Sequence, residues 1–243
     1  MLILTPLFLT FSLTLWLSLI LLKVGKDWLI DFPAERKIHD RPVPRTGGLV
    51  MGTIFFLSTF IFDLADQLWW YLTGGAILFV LGVLDDQKSI RWPVKLVVQL
   101  IVSFIIIFRF FESVESVSFF NTALNFSTIG LIAVFLIWFV GILNAINLID
   151  GMDGLAGGFM VLISVFSLII GFINEANLFL TLNASLLGTL AGFLIFNRKP
   201  ARYFMGDSGS LLLGYHVACL PLLYHQSTNS KQDLLITPFL ILS

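Results

Sequence analysis

Two aspartates three positions apart mark the stretch of this chain that is best suited to chemistry. Asp150 and Asp153 are each followed by a glycine, and long apolar runs flank the segment Asn144–Gly158 on both sides. Three-residue spacing places both carboxylates on one face if the segment is helical. Gly151 and Gly154 allow the backbone to bend or to approach a ligand closely. Carboxylates are costly beside apolar segments of this length, which indicates a functional role for both.

Three further aspartates stand at the ends of apolar runs, Asp85 and Asp86 after one run and Asp207 before another. The adjacent pair repel each other unless a cation or a proton lies between them. Considered singly, each acid is explained as a hydrophilic helix terminus, and Asp207, within Gly206–Ser210, as a helix N-cap. A capping role for Asp150 and Asp153 is open in the same way.

Considered together with the basic residues of the same loops, the acids suit a phosphate substrate. Mg²⁺ binds hard oxygen ligands, commonly one or two carboxylates and the phosphates of a substrate. Guanidinium and ammonium groups bind phosphate oxygens. The segments Gly151–Gly158 and Gly206–Gly209 lead into predicted helices, whose N-termini attract anions. The combination predicts a diphosphate held with magnesium.

The composition predicts a polytopic membrane protein. Hydrophobic residues make up 58% of the 243-residue chain and charged residues 12%, whereas about a quarter of the residues are charged in soluble domains. A single cysteine, Cys219, excludes an internal disulfide and a cysteine-based metal site. The first apolar run lacks the basic n-region and the cleavage site of a signal peptide, so we expect a retained helix.

The apolar runs predict an all-α membrane bundle that forms a single domain over residues 1–243. A spanning helix needs about 20 apolar residues, and we expect eight complete spans with a ninth beginning at Leu234. The predicted spans are 2–22, 48–62, 69–84, 94–111, 129–146, 158–173, 178–196 and 209–224. Since Ser243 falls inside the ninth run, we expect the chain to be incomplete at its C-terminus and weakly active or inactive by itself.

The basic residues predict the orientation of the bundle. Of the 14 lysines and arginines, all but Arg109 and Lys231 fall in loops that should share one side. The positive-inside rule therefore places these loops in the cytoplasm and the N-terminus outside. The residues concerned are Lys23, Lys26, Arg36, Lys37, Arg41, Arg45, Lys88, Arg91, Lys95, Arg198, Lys199 and Arg202.

Four segments resemble the polyprenyl-phosphate N-acetylhexosamine-1-phosphate transferases, glycosyltransferase family 4. They are Asp31–Gly48, Gly82–Asp86, Asn144–Gly158 and Pro200–Ser210, which follow the family's order over nearly the whole chain. The sequence Arg45-Thr-Gly-Gly is more similar to the branch that loads N-acetylglucosamine-1-phosphate onto undecaprenyl phosphate. The peptidoglycan translocase branch, which transfers phospho-N-acetylmuramoyl-pentapeptide, typically has Thr-Met-Gly-Gly there.

The resemblance implies that a UDP-N-acetylhexosamine and a polyprenyl phosphate give a polyprenyl-diphospho-sugar and UMP. This is the first membrane step of a surface glycan, such as O-antigen, or of the cell wall, at the bacterial inner membrane. It also implies Mg²⁺ as the cofactor, with Mn²⁺ as an open alternative. A homodimer is open as well, and no nucleic acid partner is expected. The implied roles are catalysis at the lipid phosphate for Asp85 and Asp86, Mg²⁺ binding for Asp207, nucleotide binding for Asn147, Asp150, Asp153 and Phe204, and phosphate binding for Lys95 and Arg45.

Several alternatives stay open at this level. The acceptor phosphate attacks the donor directly, or an aspartate nucleophile carries the phosphosugar in a two-step route. Lys95 is also explained as a snorkelling lysine, and Arg45 as a charge that only sets topology. An inactive scaffold or regulator would retain the same motifs. An ion-coupled transporter is disfavoured, because such proteins usually place their acids near the bilayer midplane and the acids here are predicted at one surface. A CDP-alcohol phosphotransferase is disfavoured because the helix motif of that family does not occur in this sequence.

Overall fold

The computed structural model describes residues 3–24, 29–32, 42–110, 117–119, 122–124, 128–228 and 234–235. Eight helices occupy these residues, one for each complete apolar run. They are α1 (Leu4–Val24), α2 (Gly47–Ile61), α3 (Trp69–Lys88), α4 (Trp92–Phe110), α5 (Thr128–Ile149), α6 (Leu155–Ile173), α7 (Asn177–Asn197) and α8 (Gly206–Thr228). The bundle architecture predicted from composition is therefore present.

Short strands supplement the helices. The described strands are β1 (Ile30–Asp31), β2 (Val43–Pro44), β3 (Val117–Phe119), β4 (Thr122–Leu124) and β5 (Leu234–Leu235). Strand β1 pairs antiparallel with β2, and β3 pairs antiparallel with β4 and parallel with β5.

The prediction that a ninth helix begins at Leu234 is wrong for the part that the structure describes. Leu234 and Leu235 form strand β5, opposite Val117 and Ser118 of β3. A short apolar run does not by itself distinguish a buried strand from a helix. The rest of that run, 236–243, lies outside the described residues.

The prediction of eight complete spans is met only in part. Five of the described helices are long and apolar enough to cross a membrane, namely α1, α4, α5, α6 and α7. Helix α2 has 15 residues, fewer than the roughly 20 that a span needs. Helices α3 and α8 are long enough but contain more polar residues.

Helix α8 tolerates polar residues because other helices enclose it. It packs on α3, α5 and α2, and every residue from Ser208 to Leu223 is buried. His216 illustrates how the polar groups are satisfied: its Nδ1 lies 2.8 Å from the Tyr71 hydroxyl and its Nε2 3.2 Å from Asn183 Oδ1. A helix with protein on all sides does not need an apolar surface to face lipid.

The ends of α3 and α8 meet at backbone distance because residue 82 is glycine. A Cβ atom on Gly82 would lie 2.5 Å from both the Asp207 carbonyl oxygen and the Ser208 Cα atom. A side chain at residue 82 is therefore incompatible with the observed approach of the two helices. This contact brings the Asp85–Asp86 end of α3 to the first turn of α8.

Gly82→Ala is expected to lower the thermal unfolding temperature, because the added methyl group must separate α3 from α8. Overpacking of this kind costs about 1–3 kcal/mol. The matched change Gly141→Ala, in α5, has no atom within 4 Å of its new Cβ and should be neutral or stabilising. Thermal melts of both variants in the same detergent compare the two sites, and equal melting temperatures would contradict the proposed steric role of Gly82.

Candidate active site

An acidic side chain of α3 caps the N-terminus of α8. Asp86 Oδ1 accepts a hydrogen bond from the Asp207 backbone N–H at 2.9 Å, and Asp86 Oδ2 accepts one from the Ser208 N–H at 3.0 Å. Gly206 precedes them with a φ of +71°. A carboxylate in this place satisfies two free N–H groups and interacts favourably with the positive end of the helix dipole. Asp86 therefore caps α8 from the neighbouring helix, while its predicted catalytic role stays a prediction.

The Asp207 carboxylate connects α8 to α4 and α5. Its Oδ2 lies 3.1 Å from Lys95 Nζ, and its Oδ1 accepts a hydrogen bond from Asn147 Nδ2 at 2.8 Å. Lys95 Nζ also lies 2.8 Å from Asp85 Oδ2, and Asn147 Nδ2 lies 2.8 Å from Ser210 Oγ. The Lys95 ammonium therefore lies between the Asp85 and Asp207 carboxylates. The sequence alone did not indicate which cation would pair with these two groups.

An open cavity of about 1400 Å³ adjoins this cluster. Five of the predicted site residues line it: Arg45, Asp150, Asp153, Phe204 and Asp207. The other four, Asp85, Asp86, Lys95 and Asn147, belong to the hydrogen-bonded cluster beside it. Asp207 is common to the cavity and the cluster. Arg198 and Lys199 also line the cavity, although the sequence marked them only as topogenic charges.

Hydrogen bonds connect the loop after α5 to the loop before α8. The Ala201 backbone N–H donates to Asp153 Oδ2 at 3.0 Å, and the Gly154 N–H donates to Asn197 Oδ1 at 3.0 Å. Asn197 Nδ2 in turn donates to the Tyr203 carbonyl at 3.0 Å. Asp153 therefore shapes one wall of the cavity. Sequence reasoning missed Asn197, because a single asparagine at the end of an apolar run carries no distinguishing signal.

A buried carboxylate holds Arg45 at the edge of the cavity. Arg45 Nη2 pairs with Asp31 Oδ1, and Asp31 is buried at the end of β1, next to β2. The sequence included Asp31 in the first family-like segment but assigned it no role. The two residues are fourteen positions apart, but no strand is predicted for this segment, so the sequence did not indicate that they pair. The neighbouring cations Arg36, Lys37 and Arg41 lie outside the described residues.

The environment of Asp150 favours its protonated form. The pKa of the Asp150 carboxyl is raised to about 7, chiefly by burial and secondarily by the nearby Asp86 carboxylate, and Arg45 partly offsets this increase. Because the pKa in the folded protein is above its ordinary value of 3.8, the unfolded chain loses this proton first as the pH rises. Folding stability from this group is therefore complete below pH 3.8 and is lost as the pH approaches 7.

Asp150→Asn is expected to raise the thermal unfolding temperature more at pH 8 than at pH 5, because the amide carries no charge to desolvate. The measurement is a pair of melts of wild-type and variant protein at the two pH values, without substrate. Asp150→Glu, which keeps a titrating carboxyl, should retain the wild-type pH dependence. A stabilisation by Asp150→Asn that is the same at both pH values would contradict the raised pKa.

The residues present fit a magnesium ion only in combination with a substrate. Within the described part of the chain, no three His, Cys, Asp or Glu side chains form a metal-binding group. The Asp207 side chain has 28% of its surface exposed and lines the cavity, where a phosphate would supply further oxygens. One or two carboxylates with substrate phosphates are a common Mg²⁺ environment, so the donor set suits such a shared site.

Comparison with known proteins assigns the chain to a family. Residues 68–225 match the sequence profile described as Glycosyl transferase family 4. This chain belongs to glycosyl transferase family 4. The matched region contains α3 to α8 up to His225, and so includes the whole acidic cluster. The resemblance found in the four sequence segments is thereby confirmed.

Relatives come from both branches of the family. A Bacillus subtilis protein named probable undecaprenyl-phosphate N-acetylglucosaminyl 1-phosphate transferase is 35% identical over 211 residues, covering 84% of this chain and 57% of the relative. A Thermotoga maritima undecaprenyl-phosphate alpha-N-acetylglucosaminyl 1-phosphate transferase is 33% identical, covering 83% of this chain and 59% of the relative. A Listeria innocua phospho-N-acetylmuramoyl-pentapeptide-transferase is 31% identical, with coverage of 91% and 71%. The chain thus spans less than two thirds of the length of the two N-acetylglucosaminyl transferases.

Proposed function

We propose that the protein is a glycosyl-1-phosphate transferase that moves N-acetylglucosamine-1-phosphate from its UDP derivative to undecaprenyl phosphate and releases UMP. One observation carries this proposal: the Asp207 carboxylate, held by Lys95 and Asn147, faces a cavity lined with cations. A carboxylate and cations around one cavity suit a diphosphate donor. The names of the Bacillus and Thermotoga relatives support N-acetylglucosamine as the sugar.

The donor would occupy the cavity. Arg45, Arg198 and Lys199 offer cationic groups for its two phosphates, and Phe204 offers an aromatic face for uracil. The α7 side of the cavity is apolar, with Leu194 and Ile195 among its lining residues. Such a combination of apolar walls and a few charged groups is typical of small-molecule sites.

The reaction balances as a single displacement. An oxygen of the acceptor phosphate forms a bond to the sugar-bearing phosphorus, and the bond from that phosphorus to the UMP oxygen breaks. Asp207 would hold Mg²⁺, and the ion would supply positive charge for the phosphates of the donor. Lys95 orients the Asp207 carboxylate and adds a positive charge beside the acceptor phosphate, while Asn147 fixes the second carboxylate oxygen.

The same geometry supports a placement of the site relative to the membrane. The cluster joins the C-terminal ends of α3 and α5 to the N-terminal ends of α4 and α8, so it lies at one end of the bundle. We assign this end to the cytoplasmic face of a bacterial inner membrane because its loops carry most of the basic residues. Helix α8 would cross the bilayer enclosed by other helices, whereas α2 and α3 expose apolar side chains such as Phe60 and Val80 that would face lipid.

The test is release of UMP from UDP-N-acetylglucosamine by the purified protein in detergent. We expect release to require both Mg²⁺ and added undecaprenyl phosphate, and to yield a lipid-linked diphospho-sugar by mass spectrometry. A panel with UDP-N-acetylgalactosamine and UDP-N-acetylmuramoyl-pentapeptide identifies the sugar. Because the chain spans less than two thirds of the Bacillus and Thermotoga relatives, the enzyme is rejected in favour of a scaffold if a chain extended to the relatives' full length also releases no UMP with any donor.

A further inference from the structure

An amide pair joins α4 to α5 directly below the acidic cluster. Asn144 Nδ2 donates a hydrogen bond to Gln99 Oε1 at 2.9 Å. Gln99 follows Lys95 by four residues on α4, and Asn144 precedes Asn147 by three residues on α5. These spacings put each amide on the same helix face as the residue that holds Asp207. The pair therefore lies about one helical turn, roughly 5 Å, from the cluster on both helices.

Gln99 is buried, with 2% of its surface exposed, and Asn144, which is itself exposed, is held by two hydrogen bonds. Asn144 Nδ2 also lies 2.7 Å from the Val140 carbonyl, one turn earlier in its own helix. Because the buried Gln99 amide is costly without a partner, its bond to Asn144 favours one rotation of α4 relative to α5.

The contacts of the acidic cluster depend on how α4 is rotated relative to α5. One Asp207 oxygen bonds to Lys95 on α4, and the other bonds to Asn147 on α5. Helix α5 is joined to α8 independently, through Trp138 Nε1, which donates to the Ala218 carbonyl at 3.0 Å. The face of α4 that carries Val97, Ile101 and Phe108 is exposed. A rotation of α4 would therefore move the Lys95 ammonium while Asn147 stayed in place.

We propose that Gln99 and Asn144 are positioning residues for transfer, which set the place of Lys95 relative to Asn147 around Asp207. This inference rests on the proposed function and adds to it a pair of residues that touch neither substrate nor reacting atoms. Their effect on the reaction is through Lys95. The pair should thus influence kcat, which depends on the alignment of charge at the phosphates, more than the KM for the donor.

The experiment compares Gln99→Leu, Asn144→Leu, the double leucine variant and the reciprocal swap Gln99→Asn with Asn144→Gln. We expect each single variant to lower kcat by about 10- to 100-fold, as small misplacements of catalytic groups do, with the donor KM changed less than twofold. The double variant should be no slower than the singles, because all three lack the same bond. The swap keeps two amides of the same combined length and should recover most of the wild-type kcat.

Ser103→Ala is the matched control, since it removes a buried polar group on α4 whose bond stays within that helix. We expect it to retain wild-type kcat. The inference is overturned if the single variants keep wild-type kcat, if their losses multiply in the double variant, or if the donor KM rises as much as kcat falls. If a single variant fails to fold in a thermal melt, the swap variant provides the test. A swap variant with wild-type kcat supports the inference. A swap variant that is folded but slow, or that does not fold, overturns the inference. Wild-type protein that is inactive even when extended to the relatives' full length would instead reject the proposed function.

Discussion

Replacing Asp207 with asparagine should lower the rate of UMP release by about 1000-fold, the upper end of the effect of losing one preorganised electrostatic group. The carboxylate uses one oxygen to accept from Asn147 and the other to pair with Lys95. An amide has a single acceptor oxygen, so whichever way it turns, its NH₂ group faces another donor. The same change removes the charge that we propose binds Mg²⁺.

The fold should largely survive Asp207→Asn, because Asp86 caps α8 through the backbone N–H groups of residues 207 and 208. A thermal unfolding temperature near that of the wild type would show this. Ser210→Ala provides the control: it removes the second acceptor of Asn147 but leaves the carboxylate, and we expect less than about a tenfold loss. An Asp207→Asn variant with more than a tenth of the wild-type rate would contradict the assigned role.

Lys95→Met is expected to lower the rate of UMP release by about 100- to 1000-fold. Methionine keeps much of the length of lysine but leaves the Asp85 and Asp207 carboxylates without the cation that lies between them. Their mutual repulsion would then displace both groups. Lys95→Arg keeps the charge on a planar, bulkier head, so we expect an intermediate loss of about tenfold.

A second variant separates two explanations for the effect of Lys95. In Asp85→Asn combined with Lys95→Met, the repulsion is relieved but the ammonium is still missing. We expect the double variant to melt at a higher temperature than Lys95→Met and to remain as slow. Recovery of the wild-type rate would mean that Lys95 only neutralises Asp85, and would remove it from the reaction. The readouts are UMP release and thermal unfolding in the same detergent.

The helices were predictable because their signals are local. The fifth apolar run was predicted at 129–146, and α5 occupies Thr128–Ile149; the run at 178–196 corresponds to α7, Asn177–Asn197. A long apolar run indicates a helix in a membrane, because the backbone groups must be hydrogen-bonded within the segment there. The errors come from the same rule: length and hydropathy do not reveal that α8 is enclosed by protein, or that Leu234 pairs with a strand.

The candidate site was predicted as a set of residues but not as a set of contacts. The sequence named Asp85, Asp86, Asp150 and Asp207, and three of the four helix ends that meet at Asp207 carry one of those motifs, while the roles of these residues stay predictions. The residues that hold the set together, Asp31, Gln99 and Asn197, gave no usable combined signal. Each is an ordinary polar residue whose importance depends on which residue of another helix or strand faces it.

The sequence by itself determined the membrane class, the positions of the eight helices, the family and the acids that gather at one end of the bundle. These properties depend on residue type and spacing along the chain. Only the tertiary structure decided that Asp86 caps α8, that Lys95 lies between Asp85 and Asp207, and that Arg45 is held by Asp31. Such pairings are fixed by the rotation and separation of packed helices, which depend on contacts between distant residues such as Gly82 and Ser208.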